Sequence, residues 1–149
     1  MNIWAISLFA LATALVSLSL WMALKYQKSL AIYAYSGFLV SLALIAVAQG
    51  LLYTNPEPSS ALFVTRLGYF AGVLTFSCLL FFSWQFPIPS KNIPKNSVLF
   101  LWLPVAFFFS LFFLGASFVT NVIPTGGSWQ EVRGSTYAIF PVFVIAYVI

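Results

Sequence analysis

Two residue types are missing from this 149-residue chain altogether: it has no histidine and no aspartate. Their absence removes the usual general base at neutral pH, the commonest zinc and haem ligand, and any phosphohistidine chemistry. Cysteine is nearly absent too. Cys78 is the single one, which excludes an intrachain disulfide and a thiolate cage; inside an apolar run it reads as a small packing residue. Charge is scarce: six basic residues and two glutamates make up 5% of the chain, against about 25% in a soluble domain. No carboxylate pair, no nucleophile beside a base and no glycine-rich phosphate loop appears. The chain is therefore expected to hold no metal or cofactor and not to be an enzyme by itself. The net charge is +4, but the lysines flank apolar runs and form no basic patch, so nucleic acid is not an expected partner.

What the chain has instead is hydrophobic surface: 62% hydrophobic residues and 19% aromatic. A sequence this poor in charge needs lipid as its solvent, so the bilayer is its first expected partner. Five apolar runs cover residues 3–24, 30–53, 61–86, 97–119 and 136–149. At about 1.5 Å per residue the first reaches about 33 Å, enough for a hydrocarbon core of about 30 Å. The fifth reaches only about 21 Å. The expected fold is an all-α membrane protein, a polytopic bundle of four full transmembrane helices and a truncated fifth. All 149 residues form one domain, and the chain reads as a fragment. Ser59 or Ser60 is the expected N-cap of the third helix, and Pro104 an expected kink.

The eight charges are sorted along the chain. Lys25 and Lys28 follow the first run, and Lys91 and Lys95 follow the third. Glu57, Arg66, Glu131 and Arg133 fall in or beside the alternate gaps. The positive-inside rule then puts the lysines in the cytoplasm and Met1 outside, in an expected multi-pass membrane protein. The first run is expected to be a membrane helix in preference to a signal peptide, because no basic residue precedes it, it is long for an h-region and the lysines come after it. Trp4, Tyr53, Trp129 and Tyr137 fall at predicted outer ends, and Trp21, Tyr26, Tyr33, Trp84 and Trp102 at or near inner ones, as interfacial belts require.

A few residues stand out from this background. Arg66, one and a half turns into its helix, is expected to snorkel to the outer headgroups or to pair with Glu57 or Glu131. Gly68 and Gly72, four apart, predict a close helix contact, within the bundle in preference to a homodimer seam; Gly37 and Ser41 repeat the pattern. Gln49 reads as a packing hydrogen bond. The segment 121–135 is the most distinctive outer loop. Its Gly126-Gly127 pair suggests a tight turn, with Val122-Ile123 and residues 129–132 as short flanking strands. It is either a connector or a lid over the outer mouth of the bundle.

Several stretches carry a resemblance. Leu62-Phe63-Val64-Thr65-Arg66-Leu67-Gly68-Tyr69 is similar to an arginine-x-x-tyrosine start of a third helix. Phe81-Phe82-Ser83-Trp84-Gln85-Phe86-Pro87 is similar to an aromatic exit before a basic inner loop. Gly134-Ser135-Thr136-Tyr137-Ala138-Ile139-Phe140 is similar to a glycine-x-x-tyrosine start of a fifth helix. Together they resemble the N-terminal seven-helix membrane region of bacterial histidine kinases and related signalling proteins. That resemblance implies a sensory input region with a cytoplasmic output domain beyond it, and it carries over no ligand residue. The packing and outer-face residues it leaves in view are Arg66, Gly68, Tyr69, Gly72, Glu131 and Tyr137. A small transporter subunit and a structural subunit of a membrane complex are the competing expectations.

Overall fold

The computed structural model describes residues 2–26, 29–54, 56–85, 95–114, 118–125 and 128–148. Lys28, Lys91, the 86–94 part of the basic loop and the Gly126-Gly127 turn lie outside the described residues.

The protein is mostly helical, and three of its helices are long and apolar enough to cross a membrane. They are α1 (Ile3–Lys25), α2 (Leu30–Leu52) and α3 (Pro58–Gln85). The Asn2 side chain caps α1 by accepting from the Trp4 N–H at 3.3 Å, and Lys25 in the last turn suits the negative end of the helix dipole. The third helix starts earlier than Ser59: Pro58 takes the first helical position and the Glu57 carbonyl accepts from the Ala61 N–H at 2.8 Å. Proline suits that position because its missing N–H would have no partner there in any case.

The three helices form an antiparallel layer with α2 in the middle. Small residues hold it together. α1 buries Ala5, Ala12 and Ser19, spaced seven apart, while α2 buries nine residues, all but Leu39 being alanine, serine or glycine. Such residues let backbones approach closely where lipid offers no hydrophobic drive to associate. A Cβ added at Gly37 would meet Cys78 Sγ at 3.1 Å, and one at Gly50 would meet the Phe9 ring at 3.0 Å. Short hydroxyl bridges pin the layer. Ser19 Oγ donates to the Ser36 carbonyl at 3.1 Å, and Thr75 Oγ1 lies 3.0 Å from Ser41 Oγ. The large side chains point outward. Ile3, Trp4, Leu24 and Leu30 are each more than half exposed.

The rest of the chain departs from the expected all-α bundle. α4 (Lys95–Phe109) contains Pro104, is 15 residues long and opens into a π-turn at Ser110–Leu114. Among the described residues three helices, not four, are long and apolar enough to cross a membrane. The apolar run 97–119 hides two structures. Its end, Val119, already belongs to strand β1 (Val119–Thr125), which pairs antiparallel with β2 (Ser128–Arg133). The β-branched Val119, Thr120, Val122 and Ile123 favour a strand there. The register slips between Val119 and Asn121, a bulge that twists the hairpin. Gly134 N–H donates to the Phe118 carbonyl at 2.8 Å and closes the hairpin base. A 3-10 turn (Ser135–Ala138) then leads into α5 (Ile139–Val148).

Candidate functional site

The hairpin is fastened across the start of α3 by three side chains that sequence reasoning singled out. Arg66 Nη2 donates to the Val119 carbonyl at 2.8 Å. One turn on, the Tyr69 hydroxyl lies 2.6 Å from both carboxylate oxygens of Glu131 and 3.3 Å from the Tyr137 hydroxyl. One hydrogen bond thus links α3 to β2, and the 3-10 turn before α5 joins through Tyr137. Period two puts Trp129, Glu131 and Arg133 on one face of β2. Arg133 Nε reaches Glu131 at 3.2 Å, and its guanidinium stacks over the Tyr137 ring at 4.4 Å. Accepting that bond, Glu131 raises the Arg133 pKa further above its ordinary value.

Among the described residues Arg66 pairs with neither Glu57 nor Glu131, and its buried Nε has no hydrogen-bond partner. The hairpin carbonyl takes one of its N–H groups without bringing in a second desolvated charge.

Beneath these bridges lies an aromatic core. Phe108, Phe112 and Phe118 are fully buried. Phe118 packs against Phe112 at 4.4 Å, Tyr69 at 5.2 Å and Tyr137 at 5.3 Å between ring centroids, and Phe140 meets Tyr69 edge to face at 5.3 Å. Edge-to-face rings at such distances contribute about 0.5–1.5 kcal/mol per pair beyond burial. Trp129 and Tyr137, expected at outer helix ends, are partly buried and pack against this core. Trp4, Trp21, Tyr26, Tyr33 and Trp102 are exposed, as belt residues would be.

Between α2, α3, the hairpin and α5 the packing leaves a cavity of about 280 Å³. Gln49 and Leu52 form its α2 side, and Thr65, Gly68, Tyr69 and Gly72 its α3 side. Trp129 and Glu131 come from β2 and Phe140 from α5. The glycine pair is less tightly packed than its spacing suggests. A Cβ at Gly68 would sit 3.6 Å from the Ala48 Cβ, and one at Gly72 would sit 3.9 Å from Phe140 Cζ, both ordinary contacts. The two glycines provide room, and the close helix approaches are at Gly37 and Gly50. Trp129 Nε1 is buried without a partner, so the indole nitrogen is not offered to the cavity. Gln49 is exposed and lines the cavity.

Sequence reasoning missed Phe112 and Phe118, the centre of the aromatic core. Their only signal was the density of phenylalanine in the 107–118 stretch, which hydropathy reads as one more lipid-facing run. The chain matches no model of a known protein family, no curated protein and no solved structure.

Proposed function

We propose that this chain is the membrane-embedded sensory input region of a signal-transduction protein, and that the cavity under the hairpin is where its signal binds. The observation that carries the reading is the cavity's construction. It opens among four elements, and two side-chain bridges, Tyr69–Glu131 and Arg66–Val119, tie the hairpin to α3 at its edge. A ligand there would bias how the hairpin and α5 sit on α3, and a two-state bias of that kind is what a sensor needs. In this reading the helices cross a bacterial plasma membrane several times. Met1 and the hairpin lie outside and the lysine gaps inside, following the positive-inside rule. The resemblance to the seven-helix region of histidine kinases supplies the output: a cytoplasmic signalling domain, with a homodimer as the unit that signals.

Gln49 on the cavity wall favours a second reading, a small transporter subunit whose substrate meets that amide. Nothing comparable favours a structural subunit.

The two readings separate in the full-length gene product. Gly72→Leu fills the cavity without a backbone clash. A sensor carrying it is locked at one output level, measured as phosphorylation or reporter activity across growth conditions. Unchanged, condition-responsive output in a protein present at normal levels overturns the sensor. Substrate uptake into vesicles that Gln49→Ala abolishes would favour the transporter.

A further inference from the structure

The cavity wall carries one formal charge, and it is negative. Glu131 contributes it, with its side chain 22% exposed, and among the described residues no lysine or arginine lines the cavity. Three aromatic residues, Tyr69, Trp129 and Phe140, share the wall. Of the remaining polar groups, the Thr65 hydroxyl already donates to the Ala61 carbonyl at 2.8 Å. A carboxylate beside aromatic rings is the combination that recognises an ammonium group, because the ring faces are electron-rich. An anion would meet the carboxylate with no cation on the wall to answer it.

The two nearby cations leave this sign in place. Arg66 directs Nη2 at the Val119 carbonyl and is not on the wall. Arg133 touches Glu131, but its side chain is 60% exposed, and a pair so open to water is strongly screened. Arg133 is also informative in itself. It is a cation held by the Glu131 carboxylate and the Tyr137 ring at once. On the cavity wall the same residue stands with Tyr69, Trp129 and Phe140, and among the described residues no lysine or arginine stands with them. Size narrows the ligand further. About 280 Å³ is at or just under the low end of small-molecule sites, roughly 300–1,000 Å³, which suits a compact body and excludes a peptide or nucleotide.

We propose that the cavity binds a small organic monocation, an ammonium or quaternary ammonium group on a compact apolar body. Glu131 is its counter-ion and Tyr69, Trp129 and Phe140 its cage. This rests on the sensory-pocket reading above and names the ligand class.

The test is equilibrium binding to the full chain in phosphatidylcholine nanodiscs, with binding to empty nanodiscs subtracted. Three probes of one shape are compared at pH 7: 2-phenylethylamine, which is cationic, 2-phenylethanol, which is neutral, and 3-phenylpropionate, which is anionic. The amine is expected to bind at least about tenfold tighter than the alcohol, which is about 1.4 kcal/mol, and the anion not measurably. Glu131→Gln lowers amine affinity to the level of the alcohol, and Gly72→Leu removes both. The three-probe comparison needs no variant, so a misfolded Glu131→Gln leaves it decisive. Equal binding of amine and alcohol, abolished by Gly72→Leu, overturns the cation class and leaves the pocket standing. Tighter binding of the anion overturns the sign. Amine binding that survives Gly72→Leu places the site elsewhere and overturns the proposal. No binding of any probe overturns both the proposal and the ligand pocket beneath it.

Discussion

The two halves of this molecule are packed with different materials. α1, α2 and one side of α3 meet through alanine, serine and glycine, while the other side of α3 meets α4, the hairpin and α5 through phenylalanine and tyrosine. Small residues bring backbones together, and their contact surface is close to flat. Rings hold backbones apart and leave irregular space between them. The cavity lies on the seam, where Gly68 of α3 faces Ala48 of the first half and Gly72 faces the Phe140 ring of the second. A site arises where the two packing styles meet and neither fills the gap.

The sharpest way to break this contrast is to remove a ring. Phe118 is fully buried, and Phe118→Ala is expected to destabilise the protein by about 3–5 kcal/mol. Chemical unfolding in detergent micelles measures it; a loss under about 1 kcal/mol would mean the aromatic half is loosely packed. Next comes the polar clasp. Tyr69→Phe leaves the ring and deletes the bond to Glu131, at a cost of about 1.5–3 kcal/mol for a hydrogen bond to a charged group. Amide exchange of the hairpin should rise with it while that of α1 and α2 stays constant, and equal exchange in both halves would deny that the clasp is local.

The small-residue half should fail by overpacking instead. Gly50→Val is expected to cost about 1–3 kcal/mol as Phe9 is pushed aside. Gly68→Ala, whose new Cβ finds only ordinary contacts, should stay within about 0.5 kcal/mol. Thermal melting of the two side by side tests the assignment, and the reverse order would return the close contact to Gly68. The smallest loss of a bond belongs to a hydroxyl bridge. Thr75→Val should cost about 0.6 kcal/mol, the usual worth of such bonds between membrane helices, and a loss above about 2 kcal/mol would give this half a polar keystone.

The long helices were legible because length and hydropathy are local properties, and α1, α2 and α3 end within a few residues of where the apolar runs end. The fourth run misled because helix, π-turn and strand are all apolar between residues 97 and 119. What makes Val119 a strand residue is its pairing with Arg133, which no window of hydropathy contains. The packing of Trp129 and Tyr137 on the aromatic core was hidden for a related reason. In lipid, an aromatic ring at a helix end looks the same in sequence whether it faces headgroups or a protein core. Arg66, Tyr69, Glu131 and Tyr137 each stood out by charge or motif, but their geometry was invisible. The Gly68–Gly72 spacing was read correctly as small, and the neighbours that decide between contact and vacancy come from other elements.

The Tyr69–Glu131 bond joins residues 62 positions apart. That separation orders events in time. α1, α2 and α3 can associate as soon as they are synthesised, since their bridges join residues only 17 and 34 apart. The clasp must wait for β2, and closing so long a loop carries a larger entropic cost than the early contacts do. At ribosomal speeds of about 5–20 residues per second, β2 emerges seconds after Tyr69. During that interval the Tyr69 hydroxyl and the Arg66 guanidinium have no hairpin to hold. An unfinished chain thus carries two polar groups without their hairpin partners at one end of an otherwise apolar layer.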